Sequence, residues 1–149
     1  MVQIINSHDQ LSLEKIEQFE SKNNVKLSDL YKEFLLKWNG GKARPNIFKI
    51  SDAQGSSVLN VFYGIRDMYD NLEDFLDIME DRLPEGFIPI AEDPAGNVIC
   101  LGTNEPFYEK IYFWDHEEES ENPDDMSNMY FLADNINEFL DNLYEDDEE

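Results

Sequence analysis

The chain has 149 residues, with 34 Asp and Glu against 11 Lys and Arg, and a formal net charge of −23. That balance excludes direct nucleic-acid binding and adhesion to an anionic membrane, both of which need a basic surface. Ten Phe, seven Tyr and two Trp exclude a disordered acidic chain, which would be poor in aromatics, so the expectation is one domain over residues 1–149 with an acidic tail at about 145–149.

Leu13, Ile16 and Phe19 recur at three-residue spacing behind Ser12, which predicts a helix over about 12–23 that ends at Asn23 and Asn24. Ser28 is a cap for a second helix, with Asp29 in its first turn and Leu30, Tyr31, Phe34, Leu35 and Trp38 on one apolar face. Asn39, Gly40 and Gly41 stop it, so residues 12–41 read as a helical hairpin with one buried side. Ile47, Phe48 and Ile50 then predict a short strand, and the β-branched and aromatic run 58–63 a second. Leu72, Phe75, Leu76 and Met79 restore helical spacing over roughly 70–82, and Pro84, Glu85 and Gly86 break it. The apolar runs 87–91 and 98–101 read as strands joined by a hairpin turn through Asp93, Pro94, Gly96 and Asn97. Another strand is predicted at 111–114, an acidic loop of about ten residues after it, a short strand at 129–132, and a last helix capped by Asp134 with Ile136, Phe139, Leu140 and Leu143 on one face. Helices at both ends and strands between them predict an α+β fold around a mainly antiparallel sheet.

The charge is concentrated at one end. Residues 111–149 hold fifteen Asp and Glu and no Lys or Arg. Two meanings stand side by side: a solvated, solubilising face, or a field that speeds encounter with a basic partner. The cluster at 115–125 follows a strand ending in Trp114, which ties it to folded structure. Residues 145–149 follow the last apolar residues and are expected to fray.

Catalytic chemistry finds little support. His8 and His116 are the two histidines, no Gly-x-Ser-x-Gly motif is present, and neither phosphate-binding glycine pattern occurs. Asp115, His116, Glu117 and Glu118 would hold a metal if folded back on one another, yet their spacing does not demand it, and the second histidine of a zinc-protease helix is missing. Neither metal nor cofactor is expected. Cys100, between Ile99 and Leu101, reads as a buried core thiol. Trp38 closes the apolar face of the second helix and reads as core, whereas Trp114 is either a core lid or a rim aromatic. With no basic N-terminal region before an apolar core and no run long enough to span a bilayer, the chain is expected to be cytoplasmic.

The order and spacing of these residues resemble the SUKH superfamily in its Smi/Knr-type branch. The resemblance runs through Ile16, Phe19 and Glu20; Leu27, Tyr31, Phe34, Leu35 and the Asn39-Gly40-Gly41 stop; Phe87 to Ala91 followed by Asp93, Gly96, Asn97 and Ile99 to Leu101; then Ile111 to His116, and Phe139 and Leu140 in the closing helix. It covers about residues 12–144. One departure is Leu27-Ser28, where the family often has Leu-Pro; serine still caps the helix. For the bacterial branch the resemblance implies an immunity protein that binds and neutralises a cognate toxin domain, often a nuclease, without catalysis. A regulatory protein-binding scaffold of the fungal cell-wall type is the alternative. The expected contact surface is the end of the sheet where Trp114, Asp115 and His116 meet Glu117, Glu118, Glu119, Glu121, Asp124 and Asp125, joined by Glu92 and Asp93 from a neighbouring turn.

Overall fold

The computed structural model describes residues 3–5, 11–65 and 71–145. His8 and residues 146–149 of the expected tail lie outside them. The order is β1 (Gln3–Ile5), α1 (Leu13–Asn23), α2 (Asp29–Trp38), β2 (Lys42–Arg44), β3 (Ile47–Ser51), β4 (Gly55–Val58), β5 (Val61–Phe62), α3 (Leu72–Met79), β6 (Phe87–Glu92), β7 (Val98–Gly102), β8 (Ile111–Trp114), β9 (Met129–Ala133) and α4 (Ile136–Asp141). Strands β5 to β9 form one antiparallel five-stranded sheet in chain order, while β1 with β2 and β3 with β4 make two antiparallel pairs. This is the expected α+β architecture.

The helix ends follow local chemistry. Ser12 Oγ accepts from the Lys15 N–H at 3.2 Å, and Ser28 Oγ from the Tyr31 N–H at 3.3 Å, each satisfying a donor that the first turn leaves over. Both helices end on an asparagine in the left-handed conformation, Asn24 at φ 53° and Asn39 at φ 48°. Asn39 also pins the next connection, because its Oδ1 accepts from the Ile65 N–H at 2.8 Å and its Nδ2 donates to the Ile65 carbonyl at 3.2 Å. Gly40 follows at φ 88°, where a Cβ would stand 3.0 Å from the Phe62 carbonyl oxygen, so glycine is needed for the close approach to β5.

Three expectations shift. The run 58–63 is split: Val58 ends β4, whereas Val61 and Phe62 pair with Glu92 and Ala91 of β6. Its β-forming residues are continuous but the partner changes at Leu59 and Asn60, whose N–H groups donate to the carbonyls of Asn46 and Glu92. The last helix is capped by Asn135, not Asp134: Asn135 Oδ1 accepts from the Glu138 N–H at 2.9 Å, and the Glu138 carboxylate accepts from the Asp134 N–H at 3.0 Å. The pair β1 and β2 carries no periodic signal in its three-residue strands and was not anticipated.

Alternation along β7 and β8 divides the sheet into two faces. Ile99, Leu101, Ile111 and Phe113 point into the main core with Ile16, Phe19, Tyr31, Phe34, Leu35, Ile136, Phe139 and Leu140 of α1, α2 and α4. Val98, Cys100 and Trp114 point to the opposite face, where Met79, Leu83, Phe87 and Met129 make a second, smaller cluster. Cys100 is fully buried there, and burial pushes its thiol pKa up, so it is a poor nucleophile. Trp38 is half-buried against the main core, with Lys37 Nζ 5.1 Å from its ring centre.

Within the main core the Tyr31 hydroxyl is buried without a hydrogen-bond partner among the described residues. Desolvation drives its pKa well above the ordinary value. Because an unsatisfied buried hydroxyl is a cost, Tyr31→Phe is expected to leave stability unchanged or to raise it by up to ~1 kcal/mol. Urea unfolding checks this; a loss of ~2 kcal/mol or more would show that the hydroxyl is satisfied.

Candidate functional site: an anchored acidic loop

The acidic segment after β8 is tied down at both ends. The Asp115 N–H donates to the Asn128 carbonyl at 3.0 Å, and Asn128 Nδ2 returns a bond of 3.0 Å to the Asp115 carbonyl. Between these ends lie two 3-10 turns, His116–Glu118 and Met126–Asn128. Each is capped by an acid of the cluster: Asp115 Oδ1 accepts from the Glu117 N–H, and Asp125 Oδ1 from the Ser127 N–H, both at 2.9 Å. Acceptance of that backbone N–H lowers the Asp125 pKa.

A single arginine fastens the middle. Arg82, just past α3, donates from Nε to Glu119 Oε2 at 3.1 Å and from Nη2 to Glu119 Oε1 at 2.9 Å. Its guanidinium also lies 5.0 Å from the centre of the Trp114 ring. Tyr130 donates its hydroxyl to Glu118 at 2.6 Å, and that bond lifts the phenol to about 12. Asp124 Oδ1 accepts from the Glu85 N–H at 2.9 Å, which draws the loop down onto the turn before β6. Met126 packs against the second cluster. The loop is therefore the lid of the sheet's second face.

The turn between β6 and β7 is joined to the loop through Asn97. Asp93 Oδ1 accepts from the N–H groups of Ala95 and Asn97 at 2.9 Å each, and its Oδ2 accepts from Ser57 Oγ at 2.8 Å and Asn97 Nδ2 at 2.9 Å. Asn97 Oδ1 then accepts from the His116 N–H at 2.9 Å, and Gly96, at φ 92°, lies beneath the His116 ring. Glu92 accepts from Asn60 Nδ2 at 3.1 Å and from the Tyr63 hydroxyl at 3.0 Å.

The proposed contact residues thus divide by accessibility. Trp114 is 1 % exposed and Asp93 2 %, so neither offers surface to a partner. The reason is alternation: Trp114 falls on the second face, where Arg82 and the lid cover it, and Asp93 spends both oxygens on its own turn. Asp115, His116, Asp125 and Glu92 are half-buried; Glu117, Glu118, Glu119, Glu121 and Asp124 are exposed. Among the described residues, the carboxylates of Glu117 and Glu121 are unpaired, while Glu118, Glu119 and Asp124 hold the loop. Arg82, Asn97, Asn128 and Tyr130 were missed in sequence; the one available signal was Arg82 as a lone base among Asp77, Glu80, Asp81 and Glu85. Among the described residues no three His, Cys, Asp or Glu side chains converge to hold a metal. No described helix is long and apolar enough to cross a membrane.

A pH dependence follows from the Arg82 clamp. Its hydrogen bonds hold the Glu119 carboxyl below its ordinary value of 4.5. A depressed folded pKa stabilises fully above that ordinary value and is lost as pH falls through the folded one. The loop is expected to loosen as pH drops below about 4.5, read as a change in Trp114 emission in a Trp38→Phe background. Arg82→Ala should show the loosened emission already at neutral pH; identical titrations of the two proteins would refute the clamp.

The SMI1 / KNR4 family model (SUKH-1) matches residues 10–142 of this chain. The chain belongs to that family. The matched span runs from just before α1 through α4, and so takes in both cores, the acidic loop and the turn that holds Asp93. The chain is also similar to the SPbeta prophage-derived uncharacterized protein YokK of Bacillus subtilis (strain 168), at 28 % identity over 153 positions, covering 89 % of this chain and 74 % of that protein.

Proposed function

We propose that this SUKH-1 chain is an immunity protein that binds a cognate polymorphic or contact-delivered toxin domain, a nuclease, and neutralises it by stoichiometric occlusion. Family membership supports the class through what the bacterial branch implies. The observation that carries the choice of surface is the immobilised acidic loop. A nuclease presents a basic groove because it must hold polyphosphate, and carboxylates compete with nucleic acid for such a groove. A loop already held by its caps, by Arg82 and by Tyr130 presents the unpaired carboxylates of Glu117 and Glu121 with little further ordering of the backbone on binding, which favours affinity. No group in the loop is arranged as a nucleophile with an oriented base, so occlusion and not catalysis is the mechanism proposed.

The test is co-expression with the toxin domain encoded by the neighbouring gene, scored by survival. Glu117→Lys with Glu121→Lys leaves every anchoring bond in place and reverses the two unpaired charges. It is expected to weaken binding by ~2 kcal/mol or more, mainly through a slower and less salt-sensitive association. Removal of residues 146–149, which follow the last apolar residues of the sequence, should leave protection largely intact if their charge acts chiefly as a field that salt screens over ~8–10 Å. If the wild-type chain gives no protection, the immunity reading fails. If it protects and the double variant protects equally, the acidic loop is not the contact surface.

A further inference from the structure

The second face of the sheet is covered unevenly. At the Trp114 end it is roofed by Arg82 and by the lid. At the other end Phe87, Phe107, Tyr112 and Phe131 make a continuous aromatic strip, with ring centres 5.2 Å apart for Phe87 and Phe107, 5.3 Å for Phe87 and Tyr112, and 5.6 Å for Tyr112 and Phe131. The strip opens toward β9, the last strand of the sheet order. Phe87 is buried, Phe107 and Tyr112 are half-buried, and Phe131 is 49 % exposed. Scattered exposed apolar residues need no explanation, but a contiguous aromatic patch ending at a sheet edge does.

The surrounding loops set the sign of what would cover it. Leu83, Phe107 and Met126 bring the segments 82–86, 103–110 and 115–128 to this face, and those segments together hold ten acids and two bases. Those two bases are already engaged, Arg82 with Glu119 and Lys110 with Asp134 at 3.4 Å, and Lys49, which lines a groove with Phe131, is paired with Asp52. An apolar centre with a charged rim is the anatomy of a protein interface, and here the rim demands a basic partner. The molecule also shows on the same face how it takes a guanidinium, with Arg82 laid over Trp114 and forked onto Glu119. Arginine prefers such a site over lysine because its planar group both stacks and forks. A groove of about 760 Å³ between α1 and α3, which shares Phe87 with the strip, is less suited, since Lys22 and Lys26 line it beside its acids.

We propose that Phe107, Tyr112 and Phe131 form the docking surface for an arginine-bearing segment of a basic protein partner, which lays a guanidinium on the strip while the acidic loops supply the counter-charge. The partner's identity as a toxin rests on the reading above; the surface and its preference for arginine go beyond it.

The experiment is an NMR titration of the isotope-labelled full chain with a capped five-residue peptide that carries two arginines flanking a leucine, and with its citrulline counterpart, which keeps the shape and loses the charge. The expected result is a saturable shift centred on Phe107, Tyr112 and Phe131, at least fivefold weaker for the citrulline peptide. Phe131→Ser should weaken arginine-peptide binding at least fivefold, and Phe131→Leu, which keeps apolar area but no ring, should give an intermediate loss that stands in if the serine variant is unfolded. Shifts spread over acidic residues regardless of Phe131, shifts centred on the groove between α1 and α3, no binding, or equal binding of the two peptides would each overturn the proposal. The two readings fail separately. A Phe131→Ser chain that loses the peptide but protects fully in co-expression overturns the docking surface and leaves the immunity function. A wild-type chain that binds the peptide at the strip but never protects does the reverse.

Discussion

Phe34→Ala should cost about 3–5 kcal/mol, the usual range for removing a buried ring whose cavity the surroundings only partly refill. Phe34 is 4 % exposed and lies at the centre of the aromatic contacts between α2 and the sheet. Its ring is stacked 6.0 Å from Tyr31 and meets Phe62 edge-on at 4.8 Å, and Phe62 in turn meets Phe139 of α4. A truncation there removes a ring that packs on both Tyr31 of α2 and Phe62 of β5. Neither α2 nor the two-residue β5 can close the gap alone, because Asn39 and Gly40 hold their separation. Urea unfolding of the variant checks the figure; a loss below ~1 kcal/mol would mean that the ring does not bridge these elements.

Asp93→Ala is expected to cost about 3 kcal/mol, because a buried carboxylate that accepts four hydrogen bonds leaves four donors behind when it is removed. Part of that cost is recovered where water reaches the exposed turn residues Pro94, Ala95 and Gly96. Asp93→Asn should lose less, since one oxygen can still accept from the Ala95 and Asn97 N–H groups while its amide faces the Asn97 amide. The effect should also travel. Asn97 is oriented by Asp93 and holds the His116 N–H, so faster amide exchange at His116 and Glu117 is expected with the loss in stability. Unchanged exchange at those amides would show that the acidic loop is anchored by Arg82 and Asn128 alone.

These two sites differ in how visible they were. The burial of Phe34 was legible, because Leu30, Tyr31, Phe34 and Leu35 recur at helical spacing between a serine cap and an Asn-Gly-Gly stop. Asp93 was legible only as part of a turn. Its side-chain partner Ser57 stands 36 positions away, and no pattern near Asp93 announces it. Trp114 presents the same limit. Two-residue alternation in β8 says that it faces opposite to Phe113, yet either face of a strand can be wet or dry. Only the docking of the α3 terminus and of the acidic loop made the second face interior at Trp114.

Local terms were therefore decided by sequence, and pairwise terms were not. Helix ends at Ser12, Ser28 and Asn39, the helical period of α2 and α4, and the run of strands from β6 to β9 depend on residues within one turn or one strand, where caps and periodicity act. The split of the run 58–63, the pair of β1 with β2, and the cap at Asn135 instead of Asp134 depend on which neighbour each backbone group meets. So does the charge. That residues 111–149 are acidic was plain from composition. Which acids hold the loop and which remain unpaired was settled by bonds from Arg82 to Glu119, 37 positions apart, and from His116 to Asn97, 19 apart, whose energy exists only once the fold has brought the partners together.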